Sequence, residues 1–136
     1  MTEKEILSKI QSYNYYIAVK TELEGQLESL VSKITTEYGE MAGGGSGTFD
    51  SKVEKLAINR TRLESKIKTL DCELCEIKRL IEKSGLDEME QDILWQVAKS
   101  ERLISYSRRN NVSKSYVYKI RDRALKKIAS KTQNVG

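Results

Sequence analysis

Histidine and proline are absent from this 136-residue chain, and cysteine, tryptophan and phenylalanine are scarce, at two, one and one. Without His the commonest general base and the commonest metal ligand are gone. No plausible pair of catalytic carboxylates and no metal-ligand cluster takes their place, so the chain reads as a non-enzyme that needs no metal and no cofactor. The lack of Pro suits long uninterrupted helices. No run of about 18 apolar residues exists, so no membrane span is expected. The charged start, Met1-Thr2-Glu3-Lys4-Glu5, has no apolar secretory core and points to the cytoplasm.

The two cysteines, Cys72 and Cys75, form a C-x-x-C. A redox motif would need a βαβ context, and a zinc site would need a second ligand pair. Neither is present. The pair falls within a helical repeat and reads as small helix residues without chemistry. The alternative is a metal bridge or crosslink between chains.

Apolar periodicity organises the chain. Residues 3–38 read as one long amphipathic helix, with Ile6, Ile10, Tyr13, Tyr16, Val19, Leu23, Leu27, Leu30 and Ile34 at spacings of three and four. Gly39 to Asp50 is Gly-rich and reads as a flexible loop. It lacks the Lys-Ser/Thr and the preceding strand of a phosphate-binding loop. Asp50 or Ser51 is the expected N-cap of the next helix. Over residues 51–84, Val53, Leu56, Arg60, Leu63, Ile67, Leu70, Leu74, Ile77 and Ile81 alternate strictly between +3 and +4, a heptad seam broken only by Arg60. Two helices of matching length around a Gly-rich loop predict an antiparallel, coiled-coil-like helical hairpin over residues 1–84. One stripe per helix is little to bury, so a homodimer is expected, with Leu56, Leu63, Ile67, Leu70, Leu74 and Ile77 at its interface.

Charge separates the rest of the chain from the hairpin. Residues 1–84 carry 13 basic and 14 acidic side chains, whereas residues 85–136 carry 11 basic and 6 acidic ones. Between Arg102 and Lys131 there are ten basic residues and one acid, Asp122. Such asymmetry suggests a second part with a different partner. Residues 85–130 read as a small three-helix module supported by the long helix before it, and residues 131–136 as a flexible tail. Asp87, Glu88 and Glu90 suit a helix start, and Ser100 is the expected cap of a short helix over 101–110. Asn110-Asn111 forms a turn, Ser113 caps the last helix, and Val117, Ile120, Ala124 and Ile128 form its buried stripe. The expected fold is thus all-α, a helical hairpin followed by a helix-turn-helix.

A basic helix behind a tight polar turn suits double-stranded DNA, because the charge attracts phosphate and the helix can enter a major groove. With Val117 at the centre of the buried face, the base-reading candidates are Lys114, Ser115, Tyr118 and Lys119. Tyr116 could instead close against the preceding helix. The phosphate candidates are Arg108, Arg109, Arg121, Arg123, Lys126 and Lys127.

The run Asn111-Val112-Ser113-Lys114-Ser115-Tyr116-Val117-Tyr118-Lys119-Ile120-Arg121-Asp122-Arg123-Ala124-Leu125-Lys126-Lys127-Ile128 resembles the last helix of sigma factor region four. That pattern has a Gly-Val-Ser turn, a Thr/Tyr-Val pair and an Arg-Ala-Leu-Lys-Lys-Leu close. The layout of the whole chain is similar to the RinA/ArpU-type late transcription regulators of bacteriophages. Asn110 stands where the pattern is usually apolar, Asn111 replaces Gly, and Lys114-Ser115 replaces Pro-Gly or Arg-Ser. The resemblance implies a sequence-specific DNA-binding regulator in the bacterial host cytoplasm, activating phage late genes, with host RNA polymerase as a further partner. The alternative is a coiled-coil interaction protein that binds a host protein such as RNA polymerase, its basic module an auxiliary anchor.

Overall fold

The computed structural model describes the backbone of residues 1–40 and 47–133, and the side chains of residues 1–34 and 52–132. The described residues are all-helical: α1 (Glu3–Gln11), α2 (Tyr13–Glu40), α3 (Gly47–Glu82), α4 (Glu88–Ala98), α5 (Leu103–Arg109) and α6 (Lys114–Gln133). No helix among them is long and apolar enough to cross a membrane.

The first helix is not continuous. It breaks at Ser12, whose hydroxyl donates to Ser8 O at 3.0 Å and whose N–H donates to Lys9 O at 3.2 Å. A Ser that bonds back to its own preceding turn bends a helix. The apolar spacing requires the break as well. Ile10, Tyr13, Tyr16 and Val19 follow at three successive +3 steps, which on a straight helix carry the stripe about 180° round the axis. One straight helix therefore cannot bury Ile10 and Val19 on the same face.

The loop expected over residues 39–50 is shorter than its composition suggests. α2 runs to Glu40 and α3 begins at Gly47, so Asp50 and Ser51 lie inside α3 and do not cap it; residues 41–46 fall outside the described residues. A helix tolerates single glycines because each costs only about 1 kcal/mol relative to Ala. α3 stops at Glu82, and Gly85, at φ +76°, turns the chain towards α4.

Two compact units divide the chain, and they do not follow the expected boundary at 84/85. One comprises residues 1–16 together with 73–136; the other is residues 17–72. In the first unit Ile6 and Ile10 of α1 share a core with Ile77, Leu80 and Ile81 of α3, Leu94 and Ala98 of α4, and Ala124, Leu125, Ile128 and Ala129 of α6. The short side chains of Ala98, Ala124 and Ala129 let helix axes approach closely. Lys9 of α1 bonds Glu76 at 2.7 Å and Glu73 at 3.5 Å on α3. Partial burial works against its charge, but the two carboxylates outweigh this and raise its pKa. A second cluster of the same unit joins Ile93 of α4, Leu103 and Tyr106 of α5, and Val117 and Ile120 of α6.

In the unit of residues 17–72, Val19, Leu23, Leu27 and Leu30 of α2 and Val53, Leu56, Leu63, Ile67 and Leu70 of α3 are each half-buried. Lys20 forms an ion pair with Asp71. Arg60, the break in the seam, is exposed and bonds Glu64 one turn along at 2.9 Å. Leu74, in the other unit, is also half-buried. Ile77 is fully buried within its own chain, so it belongs to the core and is not available as a dimer contact. The expected flexible tail is also shorter than read. α6 continues to Gln133, and Lys131 Nζ donates to Lys83 O at 2.9 Å; residues 134–136 lie outside the described residues.

Ile6→Ala should destabilise the protein by roughly 2–4 kcal/mol, the cost of a large-to-small change at a fully buried site. It should also speed hydrogen exchange in α6. If α6 kept wild-type protection, α1 would not be part of the core that carries it.

Candidate nucleic-acid interface

The basic end of the chain is built on α4. Asp87 is its N-cap: the Glu90 N–H donates to Asp87 Oδ1 at 2.8 Å, and the Asp87 N–H donates to Glu90 Oε1 at 3.0 Å. This reciprocal capping box satisfies two donors that a helix start leaves open. Glu90 has no exposed surface, yet its carboxylate also accepts from Lys127 Nζ at 2.7 Å and Arg123 Nε at 3.2 Å, both on α6. Arg123 Nη2 reaches Asp87 Oδ2 at 3.2 Å. Burial pushes the Glu90 pKa up. The bonds from Lys127, Asp87 and Arg123 more than reverse this and hold it below the usual range. The two cations, themselves about half exposed, shield the carboxylate from water.

α4 ends in a Schellman motif. The Glu101 N–H donates to Gln96 O at 2.9 Å, the Ser100 N–H donates to Val97 O at 3.0 Å, and Ser100 takes φ +59°. Ser100 thus forms the turn after α4 and does not cap α5, whose N-cap, Arg102, makes no side-chain capping bond. The buried Gln96 braces this corner. Its Nε2 donates to Glu101 Oε2 at 3.1 Å, and its Oε1 accepts from Arg109 Nη2 at 2.9 Å.

α5 closes the same way. The Val112 N–H donates to Ser107 O at 3.1 Å, the Ser107 hydroxyl donates to Val112 O, and Asn111 takes φ +53°. Asn tolerates this left-handed conformation better than other side chains do. Asn110 donates its amide Nδ2 to Tyr106 O at 3.0 Å. Its polarity, unusual at an apolar position, therefore closes the helix end. Ser113 caps α6 by accepting the Tyr116 N–H at 3.1 Å. Val117, Ile120, Ala124 and Ile128 are buried as their spacing indicates. Burial, and next the nearby negative charge of Asp92, raise the Tyr106 pKa.

Lys114, Ser115, Tyr118 and Lys119 all lie exposed on the first two turns of α6. Tyr116, 45% exposed, adds to that surface. The Tyr118 ring is engaged by cations: Lys114 Nζ lies 5.9 Å and Arg121 Cζ 4.9 Å from its centre. Arg121 also donates to Asp122 Oδ1 at 3.1 and 3.2 Å.

Three of the six phosphate candidates, Arg123, Lys126 and Lys127, share one face of α6, and Arg108, Arg109 and Arg121 do not join them. Arg108 and Lys126 are exposed and make no ion pair with a described residue. Arg109 is held by Gln96, Arg121 by Asp122 and Tyr118, and Arg123 and Lys127 by Glu90. The Asp87-x-x-Glu90 spacing could have revealed the capping box. Nothing local reveals that Glu90 pairs with residues 33 and 37 positions further on. Cys72 and Cys75 are exposed free thiols. No family model, curated protein or solved structure matches the chain.

Glu90 makes stability depend on pH in a defined direction. Its folded pKa lies below the unfolded value, so its contribution is complete above the ordinary Glu range near ~4.3 and fades as pH falls through the lower folded value. Thermal melts should show this acid loss in the wild type and a flatter profile in Glu90→Gln. At pH 7 the variant should be less stable by about 2 kcal/mol, below the figure for fully buried pairs because Arg123 and Lys127 keep part of their hydration. Parallel acid profiles would remove Glu90 from this role.

Proposed function

We propose that the chain is a sequence-specific double-stranded-DNA-binding transcription regulator. The observation that carries the reading is the capped unit α5–Asn110–Asn111–α6. It holds a continuous exposed face, Lys114, Ser115, Tyr118 and Lys119, on the first turns of a helix whose opposite face is buried. A helix-turn-helix uses this arrangement to bring the start of its second helix to base edges in the major groove. Lys114 and Lys119 suit guanine O6 and N7, and Ser115 suits several bases. Of the phosphate candidates, Arg108 and Lys126 are the freest to contact the backbone.

The half-buried apolar residues of α2 and α3 support an antiparallel hairpin that a second copy of the chain completes, through Leu56, Leu63, Ile67, Leu70 and Leu74. A two-fold dimer reads a near-palindromic site with half-sites a whole number of helical turns apart. The resemblance of Asn111–Ile128 to sigma factor region four, and of the layout to RinA/ArpU-type regulators, extends the proposal to activation of phage late genes in the bacterial host cytoplasm, with host RNA polymerase as a further partner.

Selection from a random duplex pool at ~150 mM salt, where purely electrostatic binding is weakened, should enrich a motif. Against it, Lys119→Ala should relax preference at one position by about 1–3 kcal/mol, whereas Arg108→Ala should weaken every sequence alike and lower the salt slope by ~1. Equal, sequence-blind losses from both would overturn the assignment of roles. No enrichment at all would favour the alternative, a hairpin whose function is to bind a host protein. In sedimentation equilibrium Leu63→Lys should shift the chain from dimer to monomer, because a charge in an apolar seam is costly to bury. A wild-type monomer would remove the dimer from the proposal.

A further inference from the structure

An open cleft of about 500 Å³ lies between the residues that follow α3 and the last turns of α6. Ser84, Arg123, Lys126, Lys127, Ser130 and Lys131 line it. Five of these are consecutive neighbours on one face of α6, at i, i+3, i+4, i+7 and i+8. No carboxylate is among the lining residues. Glu90 and Asp87 accept one bond from Lys127 and two from Arg123, and Lys131 gives one bond to Lys83 O. A Lys has three N–H donors and an Arg five, so all four cations retain donors. Four positive charges against two carboxylates leave the cleft with an excess of two. The Ser84 and Ser130 hydroxyls add two neutral donors that bond no described residue.

We propose that this cleft is a phosphate-binding site. Four cations and a hydroxyl on α6, with the Ser84 hydroxyl from the segment after α3, suit a group with multiple acceptor oxygens and one or two negative charges, the chemistry of a phosphate di- or monoester. A flat carboxylate would use fewer of them. Position along α6 bears on the source of the phosphate. Lys126 lies about 10 Å and Lys131 about 18 Å beyond Lys119 at 1.5 Å per residue, while a major groove is only about 12 Å wide. A duplex read by Lys114 to Lys119 would therefore bring its backbone, not its base edges, to this cleft. That source rests on the DNA-binding reading; the other is a free phosphate-bearing molecule.

The full-length chain tests both sources. Inorganic pyrophosphate is titrated while the amide resonances of Ser84 and Ser130 are followed. Affinity is then compared for the selected motif with and without ~10 base pairs of flanking duplex on each side, one helical turn. The variant is Lys126→Gln with Ser130→Ala, since neither side chain holds another described element. If the backbone is the ligand, flanks should tighten wild-type binding by ~10-fold and steepen its salt slope, and the variant should lose that gain, its affinity becoming the same with and without flanks. If a free phosphate is the ligand, pyrophosphate should shift Ser84 and Ser130 in the wild type but not in the variant, with no effect of flanks. Absence of both the pyrophosphate shifts and a variant-dependent flank effect overturns the site. Failure of the short duplex to bind overturns the DNA reading alone, because the pyrophosphate arm still decides the cleft.

Discussion

One buried carboxylate sets where α6 lies. Moving a charge out of water costs several kcal/mol unless bonds replace its hydration. Glu90 meets that condition by accepting from the Asp87 N–H, Lys127 and Arg123 together. Basic residues recur every four positions on this face of α6, at 119, 123, 127 and 131, so a slide by one turn would bring Lys119 or Lys131 against Glu90 in place of one of its partners. Ala124, Leu125, Ile128 and Ala129 of the same helix lie in the apolar core. Packing thus supplies the bulk of the attraction, and Glu90 selects the face of α6 that turns towards α4. α6 is one continuous helix from Lys114 to Gln133, so fixing Arg123 and Lys127 also fixes the exposed residues of its first turns.

The other end of α6 is held by conformation. α5 has only seven residues, too few to be stable alone. It persists because Leu103 and Tyr106 are buried and because the chain passes through the left-handed region both before and after it, at Ser100 and Asn111. Such a conformation is unfavourable for a residue other than Gly. At each site it is offset by a bond that closes the preceding helix, Glu101 N–H to Gln96 O and Val112 N–H to Ser107 O. The Gln96 side chain then ties the first of these corners to Arg109, just before the second. These bonds hold the two turns, and the packing of Leu103 and Tyr106 on Val117 and Ile120 holds α5 against α6.

How far the sequence discloses this depends on whether a feature is local. The buried stripe of α6, the Ser113 cap and the left-handed Asn111 follow from neighbours within a few positions, and the structure has all three. The break at Ser12 was also locally encoded, in three consecutive +3 steps that no straight helix can keep on one face; apolar count hides it and helical phase reveals it. Membership of α1 in the core of α4 and α6 was not encoded locally. An amphipathic helix states that it buries a stripe but not against what. Ile77 shows the same limit, since its heptad position is equivalent to those of Leu63 and Leu70, yet it is wholly buried within its own chain while they are half-buried.

Charge shows most clearly how placement changes meaning. Between Arg102 and Lys131 the sequence presents ten cations as one basic block. Arg109, Arg121, Arg123, Lys127 and Lys131 each donate to a partner within the chain. A cation that already meets a carboxylate adds less to the potential outside, since its field is partly cancelled within a few ångströms. The basic count therefore overstates the attraction this surface exerts on a polyanion. Arg121, Arg123 and Lys127 meet carboxylates and order the helix, whereas the other seven cations, among them Arg108, Lys119 and Lys126, make no ion pair with a described residue and keep their full charge. A salt slope governed by the unpaired set would be shallower than ten charges imply. Specific contact would then depend less on total charge than on how rigidly the paired cations hold α6.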